Sequence, residues 1–92
     1  MITLIWTSKA TSDLVRLHAF LEPHNKQIAA KVAQSLANAP DNLVTHPRLG
    51  ERLDEFTDRE VRRILVGDYE MRYELQKNTI YILRIWHTKE HR

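Results

Sequence analysis

The chain contains no cysteine, which excludes a disulfide framework and any thiolate metal site. Nothing therefore requires an oxidising compartment, and a reducing cytoplasm is the expected location. Long apolar runs are missing too. The apolar opening, residues 1–6, is shorter than the apolar region of a signal peptide, and the charges of Lys9 and Asp13 come soon after it. No stretch approaches the roughly 20 apolar residues that span a bilayer, so no membrane association is expected. Internal repeats and low-complexity segments are also absent. Charge of one sign is scarce: the net charge is +2, far below that of a dedicated nucleic-acid binder.

The charge is nonetheless uneven. Residues 1–58 hold six Lys/Arg against seven Asp/Glu, and residues 59–92 hold eight against five. A mildly basic C-terminal half suits an acidic protein partner or a phosphate backbone, but it also suits an ordinary solvated surface. With 92 residues the chain is expected to form one domain over residues 1–92. A domain of that size buries about two-thirds of its unfolded surface, so its stability margin is small and a binding partner would add to it.

Ile2, Leu4 and Trp6 alternate with Thr3, Ile5 and Thr7, which predicts a short half-buried strand. Ser8 is placed to cap a helix, in which Ala10, Leu14, Leu17 and Leu21 share one face until Pro23 ends it. A second helix carries Ile28, Val32, Leu36 and Ala39 on one face, and Pro40 predicts a kink or restart. Residues 47–58 show no sustained periodicity and predict a long loop, of a length that often carries function. Three strands come next. The first covers residues 61–66, the second has Tyr69, Met71, Tyr73 and Leu75 alternating with Glu70, Arg72 and Glu74, and the third covers residues 80–86. Gly67-Asp68 and Lys77-Asn78 are the turns between them. The order β-α-α-β-β-β predicts an α+β fold, with a helical hairpin packed on one face of a small antiparallel sheet. The first strand should run antiparallel to whichever of the second or fourth it neighbours.

Three groups of residues carry a resemblance. They are Trp6-x-x-x-Ala10-x-x-Asp13-Leu14, His46-Pro47-x-x-Gly50, and Arg62-Arg63-Ile64-x-x-Gly67-Asp68-Tyr69-x-x-Arg72-Tyr73 leading into residues 82–87. In this order and spacing they resemble the toxins of the RelE/ParE superfamily, also called plasmid-stabilisation toxins. The resemblance implies the growth-inhibiting half of a bacterial toxin–antitoxin pair, neutralised by a cognate antitoxin whose C-terminal segment wraps it. No cofactor or metal is implied. Two functions share this scaffold, and fold does not separate them. ParE-like members bind DNA gyrase, whereas RelE-like members cut mRNA on the ribosome without a metal.

A metal-free ribonuclease needs basic groups converging on one phosphate, together with a general base and acid. Candidates are Arg62, Arg72, Arg84, His87 and Lys89, with Glu51 and Glu55 in the preceding loop. Each has a plainer reading. Arg62 and Arg63 are consecutive and must point to opposite faces, and Arg72 can form an ion ladder with Glu70 and Glu74. Arg84, between Ile82 and Trp86, needs either a carboxylate partner such as Glu70 or Glu74 or a site to line. His87 can simply terminate its strand. His18, His24 and His46 are expected at the surface, and Trp6 and Trp86 read as core or groove aromatics. Glu70 is the departure that decides. RelE-like ribonucleases typically place an arginine there to grip the phosphate, and a carboxylate about 4 Å from a phosphate costs on the order of 4 kcal/mol. The chain also ends at Arg92 without the terminal tyrosine of several ribonuclease members. The ParE-like reading is therefore favoured, with Trp86, His87, Lys89, His91 and Arg92 as the target-binding tail.

Overall fold

The computed structural model describes residues 1–90. The elements are β1 (Thr3–Trp6), α1 (Ser8–Leu21), α2 (Lys26–Asn38), α3 (Asp41–Thr45), β2 (Glu51–Arg52), β3 (Glu60–Val66), β4 (Tyr69–Gln76) and β5 (Thr79–His87). The strands form one sheet in the order β1-β5-β4-β3-β2, and the helices pack on one of its faces.

Helix α1 is capped one residue earlier than the sequence predicts. Thr7, not Ser8, is the N-cap, and its hydroxyl accepts from the Ala10 N–H at 3.2 Å. The same hydroxyl donates to the Ile82 carbonyl at 2.6 Å, a second bond that ties the start of the helix to β5. Asn25 caps α2 through the Ile28 N–H. Pro40 does restart the chain, as the N-cap residue of α3.

Two expectations about the sheet are corrected. First, β1 lies parallel to β5, with Thr3 opposite Thr79 and Trp6 opposite Ile82, so the sheet is mixed and not purely antiparallel. The cause lies in residues 47–58, read as loop from the sequence. They contain β2, which pairs antiparallel with β3 through Glu51 and Arg63. The chain thus makes one more traverse than the two helices alone supply. Second, β5 does not keep a simple alternation. Tyr73 faces Ile82 but Arg72 faces Arg84, so Leu83 is an extra, bulged residue. Ile82 therefore joins the helical face, while Arg84 and Trp86 turn to the far face.

The core between helices and sheet contains Ala10, Leu17, Leu36, Leu43, Met71, Tyr73, Ile80, Ile82 and Ile85. Leu14 and Val32 pack against it while staying partly exposed. Leu21 is half-buried, and Ile28, which the sequence puts on the packing face of α2, is instead 51% exposed in the first turn of that helix. The Tyr73 hydroxyl donates to the Pro47 carbonyl at 2.8 Å and accepts from the Gly50 N–H at 2.9 Å. Gly50 sits so close that a Cβ there would fall 2.6 Å from the Arg63 carbonyl oxygen and 2.8 Å from that hydroxyl. Proline, glycine and tyrosine thus latch the loop that carries β2. At the β3–β4 turn Gly67 adopts φ of 60°, which costs glycine nothing.

Candidate functional site: the far face of the sheet

The face away from the helices carries the charge. Arg63 on β3, Arg72 on β4 and Arg84 on β5 are opposite one another in register. Between and beside them stand carboxylates. Glu70 is 2% exposed and accepts from Arg63 Nη1 at 3.2 Å and from Arg72 Nε at 3.0 Å. Glu51 takes a second bond from Arg63 at 2.8 Å. Farther along β4, Arg59 grips Glu74 Oε1 with two nitrogens at 3.1 and 2.6 Å. That bond, helped by Gln76 and outweighing burial, holds the Glu74 carboxyl below its ordinary value.

Arg84 does not take Glu70 or Glu74 as the sequence suggested. Its partner is Asp13 from α1, at 2.8 and 3.2 Å in a two-pronged contact. The register sets Arg84 on the far face opposite Arg72, but β1 pairs with β5 only as far as Ile82, and past that point the Arg84 side chain reaches α1. Asp13 also accepts from the Ile85 N–H at 2.9 Å, securing the backbone just after the bulge. Burial alone would raise the Asp13 carboxyl. The bonds from Arg84 and Ile85, with the charges of Arg84 and Arg16, more than cancel that and hold it below its ordinary value. Sequence reasoning missed this clamp. A signal existed, because Asp13 lies three residues after Ala10 and four before Leu17, a charge on the apolar stripe of the helix.

Trp86 is 7% exposed and lies beneath the arginines. The Arg72 guanidinium is 4.8 Å and the Arg84 guanidinium 5.8 Å from its ring centroid, distances at which cation–π attraction operates.

The remaining candidates lie elsewhere. Arg62 is opposite Tyr73 on the helical side, where its guanidinium holds the Gly50 carbonyl at 2.7 Å and Glu60 at 2.8 Å. His87 is opposite Tyr69, again on the helical side, with the two rings edge to face at 5.2 Å. Its Nδ1 accepts from the Lys89 N–H, and its own N–H donates to Glu90. Lys89 is exposed in the turn after β5. Glu51 and Glu55 are exposed, and Glu51 is engaged by Arg63. His91 and Arg92 lie outside the described residues. The sheet therefore splits the proposed ribonuclease set: Arg72 lies on one side and Arg62 and His87 on the other, while Arg84 starts from the Arg72 side and reaches Asp13 of α1.

Beside His87 is a mostly apolar groove of about 520 Å³ between α1 and the end of β5, lined by Leu17, Phe20, Leu21, Tyr69 and His87. Phe20 is 70% exposed at its rim. Among the described residues no group of three or more His, Asp or Glu could hold a metal ion. No described helix is long and apolar enough to cross a membrane.

A two-layer α+β domain with two long helices on a mixed sheet, its far face bound by cross-strand ion pairs, is the toxin fold that the sequence motifs resemble. Comparison with known proteins places it further. The family model described as the ParE toxin of type II toxin–antitoxin systems matches residues 4–92, and the chain belongs to that family. It is 31% identical over 87 residues to a Caulobacter vibrioides protein named Toxin RelE2, covering 95% of this chain and 96% of that one. It is 32% identical over 92 residues to Toxin RelE1 of the same organism, covering 98% and 97%. A solved chain from the chromosomal ParDE system of P. aeruginosa shares the fold, with a TM-score of 0.76 at 21% identity over 95% of this chain and 96% of that one. The RelE/ParE superfamily names on both sides agree with the resemblance read from the motifs.

Proposed function

We propose that this toxin inhibits growth by binding a protein target, DNA gyrase, and that it is not a ribonuclease. It acts in the cytoplasm and is held silent by a cognate antitoxin. One observation carries the reading: the groups that a metal-free ribonuclease would need do not converge. Arg72 faces away from Arg62 and His87, Arg84 reaches to α1, and three of the four have carboxylate partners in their own chain, Glu70, Asp13 and Glu60. A general base and a phosphate grip must reach the same atoms within about 3 Å; the sheet stands between Arg72 and the pair Arg62 and His87, and the Arg84 guanidinium is tied to Asp13 of α1 by both prongs. In its place, the end of β5 offers an apolar groove beside His87 and Lys89, the kind of surface a protein partner fills.

The alternative, ribosome-dependent mRNA cleavage, draws support from the RelE names of the two Caulobacter vibrioides relatives. Inducing the toxin without antitoxin separates the two. Gyrase supercoiling should fall while ribosome-bound mRNA stays intact. Arg72→Ala and Arg84→Ala, expressed in soluble form at matched levels, should remain toxic, and substitutions at His87 or Lys89 should weaken toxicity. New transcript ends within ribosome-bound mRNA that vanish in Arg72→Ala would overturn the proposal.

A further inference from the structure

A turn that leaves the last strand of a sheet frays unless something ties it down. The turn after β5 is tied within itself and to the β3–β4 turn. The Glu90 N–H donates to the His87 carbonyl at 2.9 Å, and the Thr88 N–H donates to the Asp68 carbonyl at 2.9 Å. A further tie is the Glu90 carboxylate, which works in two directions. Its Oε1 accepts from the His87 N–H at 2.7 Å, and its Oε2 accepts from Arg16 Nη1 at 2.8 Å. Arg16 stands on α1, 74 residues earlier. Its other terminal nitrogen donates to the Ile85 carbonyl at 3.3 Å and lies 3.5 Å from Asp13. One guanidinium therefore joins α1 to both ends of the segment 85–90.

This bridge adds little to the stability of the whole domain. The Arg16 and Glu90 side chains are 45% and 33% exposed, and ion pairs of that exposure are screened by water and salt. Its consequence is local. Arg16, His87, Lys89 and Glu90 all line the apolar groove beside Phe20, so the bridge fixes where His87 and Lys89 stand at the groove's rim. A partner that docks on a rim already ordered loses less conformational freedom than one that must order it on contact. We infer that Arg16 and Glu90 act together as positioning residues, holding the His87–Lys89 turn in the conformation that the toxin's protein target binds. The inference rests on the proposal above, that this end of β5 is the target surface, and adds the pair that shapes it.

A double-mutant cycle of Arg16→Ala and Glu90→Ala in the full chain tests the pair with two readouts. On the purified protein, Arg16→Ala should speed hydrogen exchange at the His87 amide by roughly tenfold, an effect that must pass through Glu90. Amides of β4 should exchange as before, and the melting temperature should fall by less than about 5 °C. On induction without antitoxin, each single variant should require roughly fivefold to tenfold more soluble toxin for the same growth arrest. The double variant should require no more than the weaker single, because both substitutions break one link. Arg16→Lys, which keeps a cation facing Glu90, should recover part of the loss. Should Glu90→Ala be insoluble, Glu90→Gln takes its place, keeping an acceptor for His87 but not the charge that attracts Arg16. Unchanged His87 exchange in Arg16→Ala would overturn the inference, and so would full toxicity in either single variant. Losses that add in the double variant would make the two residues independent contacts, and exchange that quickens throughout β4 would make the bridge a support of the whole fold. No recovery in Arg16→Lys would remove the ion pair as the link. Growth arrest is scored without reference to the target, so the two proposals fail separately. Intact supercoiling beside a non-additive cycle overturns the gyrase reading alone, and an additive cycle in a toxin that does lower supercoiling overturns the positioning pair alone.

Discussion

On the helical side of the sheet, Met71, Tyr73, Ile80, Ile82 and Ile85 are all fully buried and meet mostly apolar neighbours. On the far side Glu70 and Glu74 are nearly as buried, at 2% and 6% exposure, yet what they meet is arginine. The first face is stabilised by removing apolar surface from water, at about 25 cal/mol per Å². The second gains little from its ion pairs in net terms, because desolvating the charges offsets much of their attraction. It does gain geometry, since each guanidinium is held in one orientation by its carboxylate or by Trp86. One face is therefore held by apolar burial and the other by paired charge, and the two should respond differently to substitution.

The largest effect is expected from the apolar side. Leu36 is 1% exposed and part of the core cluster, and truncating such a side chain costs about 2–5 kcal/mol in lost transfer energy plus cavity. Leu36→Ala should lower the melting temperature by roughly 10 °C or more for a domain of this size. A loss under about 1 kcal/mol would mean that α2 does not depend on this contact, and the contrast between the faces would weaken. Tyr73→Phe should come next. It keeps the ring but strands the Pro47 carbonyl and the Gly50 N–H, which now share one hydroxyl. Leaving such buried groups unsatisfied costs about 1–3 kcal/mol, and hydrogen exchange at Gly50 and in β2 should speed up more than in β4. Uniform acceleration across the sheet would show that the hydroxyl is not a local latch.

The contrast also explains what could be read in advance. Leu17, Leu36, Met71 and Tyr73 announced themselves by periods of 3.6 and two, because apolar burial leaves a periodic trace in sequence. The opposite faces of Arg62 and Arg63 came from the same alternation, and so did the Arg72–Glu70 pair. What failed involved a single irregular residue or a distant partner. The Leu83 bulge has no compositional mark, yet it put Arg84 and Ile82 on opposite faces, and the partner Arg84 found, Asp13, lies 71 residues earlier. The parallel pairing of β1 with β5 depended on β2, whose Glu51 and Arg52 are too short a run to show a period. Glu70 was legible as a misplaced charge, but its burial between Arg63 and Arg72 required the register of three strands.

A pH series should sharpen the comparison through its smallest effect. Asp13 and Glu74 both titrate below their ordinary values of 3.8 and 4.5, and Glu60, held chiefly by its Arg62 bond, does so as well. Between the folded and ordinary values the unfolded chain binds more protons than the native one, so stability rises with pH there. The contribution is complete above about pH 5 and disappears as pH falls through the folded values. The melting temperature should thus be nearly flat from neutrality to about pH 5 and then decline. Leu36→Ala removes no titrating group, so its curve should lie below the parent's by a constant amount. Asp13→Asn and Glu74→Gln each remove one depressed carboxyl, so their curves should start lower at neutral pH and converge on the parent's as acid is added. Parallel displacement of all three variants would mean that the carboxylates contribute through packing alone, and that neither the Asp13 clamp from α1 nor the Glu74 pair on the far face acts by charge.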